Sequence, residues 1–275
     1  MTLLRVDEQK CKQDGLCAAD CPSGVILFKG PGHYPELKRG GQEICLRCGH
    51  CVAVCPHGAM DHAEVPLAVC PPIDTSLGLS REQAEQFLRS RRSVRRFKPK
   101  AVKKDDLQSL IEIASYAPTA SNAQMLRWLV INDSDHVRAI SSRVVEWMRG
   151  LLQGAGADVM PYMPNLVKAW DKGIDSILRG APCLVVAMAP TESRNGMVDL
   201  TLALSYLDLA AVQFGLGTCW AGLLQGALVS LPDLKQDLGI PAGFGHHYPM
   251  MIGYSAARYY RLPQRNAPRI SWKAP

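Results

Sequence analysis

No stretch of this chain reads as a bilayer span. Its longest apolar region, residues 200–224, carries Asp208 and Gln213 near its middle and turns at Gly215 and Gly217. That polarity argues against a transmembrane helix and predicts a buried helix followed by a strand. The segment after Met1, TLLRVDEQK, has no apolar core and no small-residue cleavage site, so no signal peptide is expected. Nor are the cysteines spread as in a small secreted disulfide scaffold. Seven of the ten lie within residues 11–55. Such clustering points to metal ligation in a reducing compartment, and a cytoplasmic location with no membrane partner is expected. There is no internal repeat beyond two cysteine motifs. No recognised nucleic-acid motif accompanies the basic residues, so no nucleic-acid partner is expected.

A chain of 275 residues with 47% hydrophobic and 20% charged content can bury a sizeable core, in one large domain or two smaller ones. The net charge of +6 is uneven: residues 1–70 hold seven Lys/Arg against eight Asp/Glu, and the remainder 24 against 17. The excess concentrates in residues 89–104, RSRRSVRRFKPKAVKK, with nine basic residues and no acid. This run is a solvated basic face or a phosphate site for a cofactor.

Residues 1–65 are Gly- and Cys-rich with little helical periodicity, and residues 66–79, PLAVCPPIDTSLGL, read as a proline-rich linker. Ser80 and Gln83 form a plausible capping box that opens a helix through about Arg91. Leu107, Leu110, Ile111 and Ala114 predict a helix over 105–116. RWLVIN (127–132), PCLVVAMA (182–189), CWAGLL (219–224) and YPMMIGY (248–254) predict strands, and residues 196–214 a long helix. The expected domains are therefore 1–65, a linker at 66–79, and an α+β or α/β domain over 80–275 with helices on both faces of a sheet.

The run Cys45-x2-Cys48-x2-Cys51-x3-Cys55-Pro56 is complete for an iron–sulfur site. Three thiolates at tight spacing wrap one face of a cubane, and the fourth points away towards a second cluster. Zinc would normally use two separated Cys-x2-Cys pairs converging on one ion. An earlier run, Cys11-x2-Asp14-x2-Cys17-x3-Cys21-Pro22, keeps the same register 34 residues upstream, with Asp14 where the second cysteine belongs. Together the two runs resemble the two-cluster bacterial ferredoxins. That resemblance implies one cluster on Cys45, Cys48, Cys51 and Cys21, and another on Cys11, Cys17 and Cys55. A carboxylate is a harder, weaker ligand for this iron than thiolate. The first site is then an Asp14-ligated [4Fe-4S] cluster, a [3Fe-4S] cluster, or a decayed motif. Cys70 is a stray ligand or a buried linker thiol.

Arg91-Arg92-Ser93-Val94-Arg95 offers guanidinium groups and a hydroxyl suited to phosphate. It is followed by Ala117-Pro118-Thr119-Ala120-Ser121-Asn122-Ala123-Gln124, by Ile177-Leu-Arg-Gly-Ala-Pro182, by Gly215-Leu-Gly-Thr-Cys-Trp-Ala-Gly222, and by Tyr260-Arg261-Leu262-Pro263-Gln264-Arg265. These motifs resemble the nitroreductase family over nearly all of residues 80–275. The resemblance implies an FMN-dependent oxidoreductase and a homodimer. Arg91, Arg92, Ser93 and Arg95 would bind phosphate and ribityl groups, with Arg261 and Arg265 adding contacts from the C-terminal segment. Pro118, Thr119, Ser121 and Asn122 would meet the isoalloxazine across the dimer, and Gln124 of the same loop would also bind the cofactor. Gly222 and Leu223 would place backbone N–H groups near flavin N5 and O4, or else form a packed strand end.

Cys183 and Cys219 sit in apolar strands and are expected to be inert. His246 and His247 have poor metal spacing and read as structural or surface residues. Residues 143–176, with Trp147, Tyr162, Met163 and Trp170, form either a variable cap or an ordinary amphipathic insert. No side chain stands out as a dedicated acid or base. The implied chemistry is electron entry from ferredoxin or another reductant through the clusters to FMN, then delivery to a small acceptor such as a nitroaromatic or quinone. Ene-reductase, flavin-reductase or reductive dehalogenation activity fits the same scaffold, as does an electron-transfer module whose acceptor is another protein.

Overall fold

The computed structural model describes residues 2–154 and 160–273. These form two compact units, one of residues 2–78 with 120–123, the other of residues 79–119 with 124–154 and 160–273.

In the first unit β1 (Leu4–Val6) pairs antiparallel with β4 (Met60–His62), and β2 (Ile26–Leu27) with β3 (Glu36–Leu37). Three single-turn helices, α1 (Leu16–Ala19), α2 (Gly41–Ile44) and α3 (His50–Ala53), lie between the strands in the chain. The core is small: Leu4, Val25, Ile26, Val52 and Met60 close around Cys17 and Cys51. The 34-residue repeat of the cysteine runs extends to the backbone. Gln13 and Arg47 share φ of 55° and 52°, Gly15 and Gly49 share 73° and 72°, and Gly24 and Gly58 share 60° and 56°. Left-handed φ is unusual for a non-glycine residue, so its recurrence at Gln13 and Arg47 marks one loop shape used twice. Gly15 is doubly constrained, because a Cβ there would also meet the Phe28 ring at 2.6 Å. The expected linker holds short 3-10 turns at Leu67–Val69 and Thr75–Leu77.

The second unit opens with α4 (Arg81–Ser90), whose capping box is formed: Gln83 N–H donates to Ser80 Oγ at 3.2 Å, and Ser80 N–H to Gln83 Oε1 at 2.8 Å. Next come α5 (Lys104–Ala114), β5 (Arg127–Ile131), α6 (Ser134–Gly154), α7 (Met163–Asp171), β6 (Cys183–Ala189), α8 (Gly196–Ala211), β7 (Leu216–Trp220), α9 (Gly222–Ser230), α10 (Pro232–Asp237) and β8 (His246–Tyr254). The four strands form one antiparallel sheet in the order β5-β6-β8-β7. β6 is buried along its whole length and alternates between two cores. Leu184, Val186 and Met188 join α6, α7 and α9, whereas Cys183, Val185 and Ala187 join α5 and α8. A strand covered on both faces reads as a continuous apolar run, as this one does.

One strand expectation is corrected. The strand expected over CWAGLL (219–224) stops short: β7 ends at Trp220 and Gly222 begins α9. A short apolar run does not distinguish a strand from a buried helix. By length and composition alone Gly196–Phe214 could cross a membrane; here Leu200, Leu204, Leu207 and Ala211 of α8 are buried in the sheet-side core.

Candidate functional site

In the first unit two cavities sort the predicted ligands. One is lined by Cys11, Asp14, Cys17 and Cys55, the other by Cys21, Cys45, Cys48 and Cys51. Each cavity thus takes three positions from one run and one from the other. Its ligand positions are spread around a hollow, and among the described residues no group of three or more His, Cys, Asp or Glu is placed to hold a single metal ion. Four thiolates suit a cubane cluster, so the donor chemistry of the second cavity fits. Burial pushes the Cys17 thiol up, and pushes Cys51 up to about 11. Such thiols resist ionising until a cation arrives, because a buried charge lacks solvation.

The first cavity differs at Asp14. Leu16 N–H donates to Asp14 Oδ1 at 3.1 Å, and His57 Nε2 lies 3.4 Å from Oδ2. His57 lines the same cavity, a placement the sequence reading missed. Its position two residues after Cys55 was the available signal. Cys70 lines neither cavity and packs against the small core.

In the second unit the Arg-rich motif follows α4. Val94 N–H donates to Thr218 O at 2.8 Å, stitching the motif to β7. The approach is so close that a Cβ on Gly217 would fall 2.3 Å from Val94. Arg91 Nη1 lies 3.4 Å from Asp208 Oδ2, and the Thr218 hydroxyl donates to the other oxygen of that carboxylate. The Arg92 guanidinium stands 5.8 Å from the Tyr259 ring centroid, and the Tyr259 hydroxyl reaches Ser93 O at 3.5 Å. This brings the C-terminal segment to the motif, although Arg261 and Arg265 themselves are exposed and make no ion pair among the described residues. Burial pushes the Cys219 thiol up, against the opposing pull of Arg95 and Arg179. Arg95 and Arg179 therefore share that neighbourhood.

Arg179, within the Ile177–Pro182 motif, is not among the site residues expected from sequence. It adopts a left-handed φ of 63°. The loop beneath it is held by Asp175, whose carboxylate accepts N–H groups from Ile177, Leu178 and Gly180 at 2.9, 3.0 and 3.2 Å, and the Ser141 hydroxyl at 3.0 Å.

Gly222 and Leu223 are the first two residues of α9. Helix-opening N–H groups have no intrahelical acceptor, so the expected strand end is instead a helix start whose first two N–H groups are not used within the helix. Gly222, Leu223 and Gly226 line a cavity of about 390 Å³ with Trp147, Met160 and Tyr162. Of the expected cap, Trp147 and Tyr162 reach this cavity, Met163 is buried in the core, and Trp170 stacks under Arg138 at 4.9 Å; residues 155–159 lie outside the described residues. The loop at 118–124 is conformationally unusual. Ser121, Asn122 and Gln124 have φ of 53°, 54° and 49°, a concentration of left-handed non-glycine residues of the kind found at functional sites. Gln124 N–H donates to Thr119 Oγ1 at 3.1 Å. Within the first unit, Asn122 Nδ2 donates to Leu46 O and Arg47 O at 3.2 and 3.1 Å.

Cys183 is buried, with its thiol pushed up to about 12, as an inert core cysteine. His247 is buried in β8 with Nδ1 3.2 Å from Gln225 Oε1, and His246 packs where a Cβ on Gly196 would fall 2.6 Å from its ring.

Comparison with known proteins gives two family matches. Residues 88–254 match the nitroreductase family, and residues 9–60 match a 4Fe-4S dicluster domain. An iodotyrosine deiodinase of Thermotoga neapolitana is 28% identical over 137 residues, covering 47% of this chain and 68% of its own. A nitroreductase with bound FMN from Bacteroides fragilis superposes with a TM-score of 0.54 at 21% identity, over 69% of this chain and 97% of its own. A second, from Desulfitobacterium hafniense, gives a TM-score of 0.54 at 20% identity, over 69% and 96%.

Proposed function

On the premise that this chain belongs to the nitroreductase family, we propose that it is an FMN-dependent oxidoreductase. Electrons would reach the flavin from the N-terminal iron–sulfur clusters and pass to a small acceptor such as a nitroaromatic or a quinone. The carrying observation is the fusion of a 4Fe-4S dicluster domain to the nitroreductase domain. A flavin fed directly by a nicotinamide has no evident need of the clusters.

Bound FMN supplies reversible one- and two-electron chemistry. The chain's own part is to hold and orient. Arg91, Arg92, Ser93 and Arg95 provide charge-assisted donors for a phosphate, and Arg179 adds a cation near Arg95. The free N–H groups of Gly222 and Leu223 suit the electron-rich edge of a flavin ring. Trp147, Met160 and Tyr162 offer apolar and aromatic walls to a flat acceptor in the adjoining cavity. The ligand sets are Cys45, Cys48, Cys51 and Cys21 for one cluster, and Cys11, Cys17 and Cys55 with Asp14 for the other. Ten free cysteines support a reducing, cytoplasmic setting.

A homodimer belongs to the same proposal. Val198, Leu202 and Tyr206 repeat every four residues along α8, so they share one face, and all are exposed. Beyond Tyr254, the C-terminal segment carries exposed Tyr260, Ile270 and Trp272, which a second subunit would cover.

Reductive dehalogenation is a second reading, favoured by the iodotyrosine deiodinase relative. An anaerobic screen separates the two: nitroaromatics, quinones and iodotyrosine as acceptors, each with reduced ferredoxin and NAD(P)H as donors. Ferredoxin-driven turnover should exceed nicotinamide-driven turnover and should fail in Cys48→Ser/Cys51→Ser. Equal ferredoxin-driven rates in that variant would contradict electron entry through the clusters.

A further inference from the structure

His62 ends β4 and is 1% exposed. Its Nδ1 lies 3.1 Å from Glu64 N and 3.2 Å from Val65 N. Backbone N–H groups only donate, so Nδ1 must be the unprotonated nitrogen of the ring. The ring proton is therefore on Nε2, and Nε2 lies 3.7 Å from Cys45 Sγ. The turn that fixes this tautomer is itself clamped. Asp61 accepts Leu67 N–H at 2.9 Å and Arg5 Nη2 at 2.7 Å, and Arg47 pairs with Glu64 at 2.7 Å. A buried imidazole is thus aimed, N–H first, at a cysteine sulfur lining the four-cysteine cavity.

The other half of the unit lacks this donor. Thirty-four residues before His62 stands Phe28, whose ring packs over Gly15. The two halves share their loop shapes, yet only one carries an N–H at this register.

We propose that His62 is a positioning residue that raises the reduction potential of the cluster held by Cys45, through an Nε2–H···Sγ hydrogen bond. One-electron reduction adds negative charge to the iron and its thiolates. A fixed donor stabilises the reduced form more than the oxidised form, and hydrogen bonds to the sulfurs are a recognised control of cluster potential. The other cavity has no imidazole at this register; its recorded N–H···Sγ contact is the backbone one from Ala59 N–H to Cys55 Sγ at 3.3 Å. The proposal rests on Cys45 being a cluster ligand, as assigned above.

The test is a redox titration of the full-length, anaerobically reconstituted protein, followed by electron paramagnetic resonance. His62→Phe places in the second half the residue found in the first. Its four-cysteine cluster should become harder to reduce by on the order of tenfold, a fall of about 59 mV for one electron, with the Asp14-side cluster unmoved. An unchanged potential, or an equal shift of both clusters, overturns the proposal. A wild type with no four-iron cluster at the four-cysteine site removes the ligand assignment and the proposal with it. If the variant loses its cluster, the chain labelled with 15N-histidine in a His50→Gln background decides. Pulsed resonance of the reduced cluster should show an imidazole nitrogen coupling, and identical spectra from labelled and unlabelled protein overturn the proposal.

Discussion

Arg91 and Asp208 stand 3.4 Å apart across 117 residues of chain, the guanidinium part-buried and the carboxylate almost wholly so. Asp208 is the acid that interrupts the longest apolar region, and its place there is explained by what it holds: Arg91 on one oxygen and the Thr218 hydroxyl on the other. The first arginine of the Arg-rich motif is thus partly committed to the fold, whereas Arg95 has no carboxylate partner among the described ion pairs.

The two arginines should therefore separate in mutation. Arg95→Ala removes a charge-assisted contact of about 1.5–3 kcal/mol and should weaken FMN retention roughly 10- to 150-fold, with iron content unchanged. Arg91→Ala should weaken retention and also lower the unfolding temperature, because Asp208 is left buried without its cation. Flavin occupancy after dilution and thermal melts measure both. Full occupancy in Arg95→Ala would show that the phosphate lies elsewhere.

Asp14 should set the lability of the cluster proposed for its cavity. Oxygen ligation is weaker than thiolate for this iron, so mild oxidation should release one iron and yield a three-iron signal. In Asp14→Cys that signal should disappear while the four-cysteine cluster is unaffected. A wild type that keeps two oxidation-resistant four-iron clusters would show that Asp14 binds firmly or that another group, such as His57, completes the site.

Burial pushes the His247 imidazole down to about 4 from its ordinary 6.5. Below pH 6.5 the unfolded chain takes up a proton that the folded chain refuses. Stability present at neutral pH is then lost as the pH falls from 6.5 towards 4, by up to about 3 kcal/mol. His247→Leu should flatten this dependence in melts taken between pH 7 and 5. A wild-type stability constant over that range would mean the ring is solvated.

The apolar face of α8 should be an interface. Leu202→Glu puts a charge among Val198, Leu202 and Tyr206 and should convert a dimer to monomer in sedimentation, with reduced flavin retention. A wild type that is monomeric and holds stoichiometric FMN would remove the dimer from the proposal.

Much of this was legible in sequence where local rules decide. The capping box at Ser80, the continuous apolar run of β6 and the register of the cysteine runs each depend on residues near one another in the chain. Gly222-Leu-Leu failed because three apolar residues suit the first turn of a buried helix as well as a strand. The left-handed Ser121, Asn122 and Gln124 were invisible because none is glycine, the residue that ordinarily signals that conformation. The roles of Asp208, Asp175 and His62 depend on partners brought near by folding, beyond the reach of motif or periodicity.

The loop shape repeated at Gln13 and Arg47 has a consequence for assembly. Each half of the first unit contributes three ligand positions to one cavity and a single one, Cys21 or Cys55, to the other. With the proposed ligand sets neither half would complete its own coordination shell, so the halves would be interdependent in maturation: loading either cavity with iron and sulfide would staple the two together and pre-arrange the ligands of its neighbour.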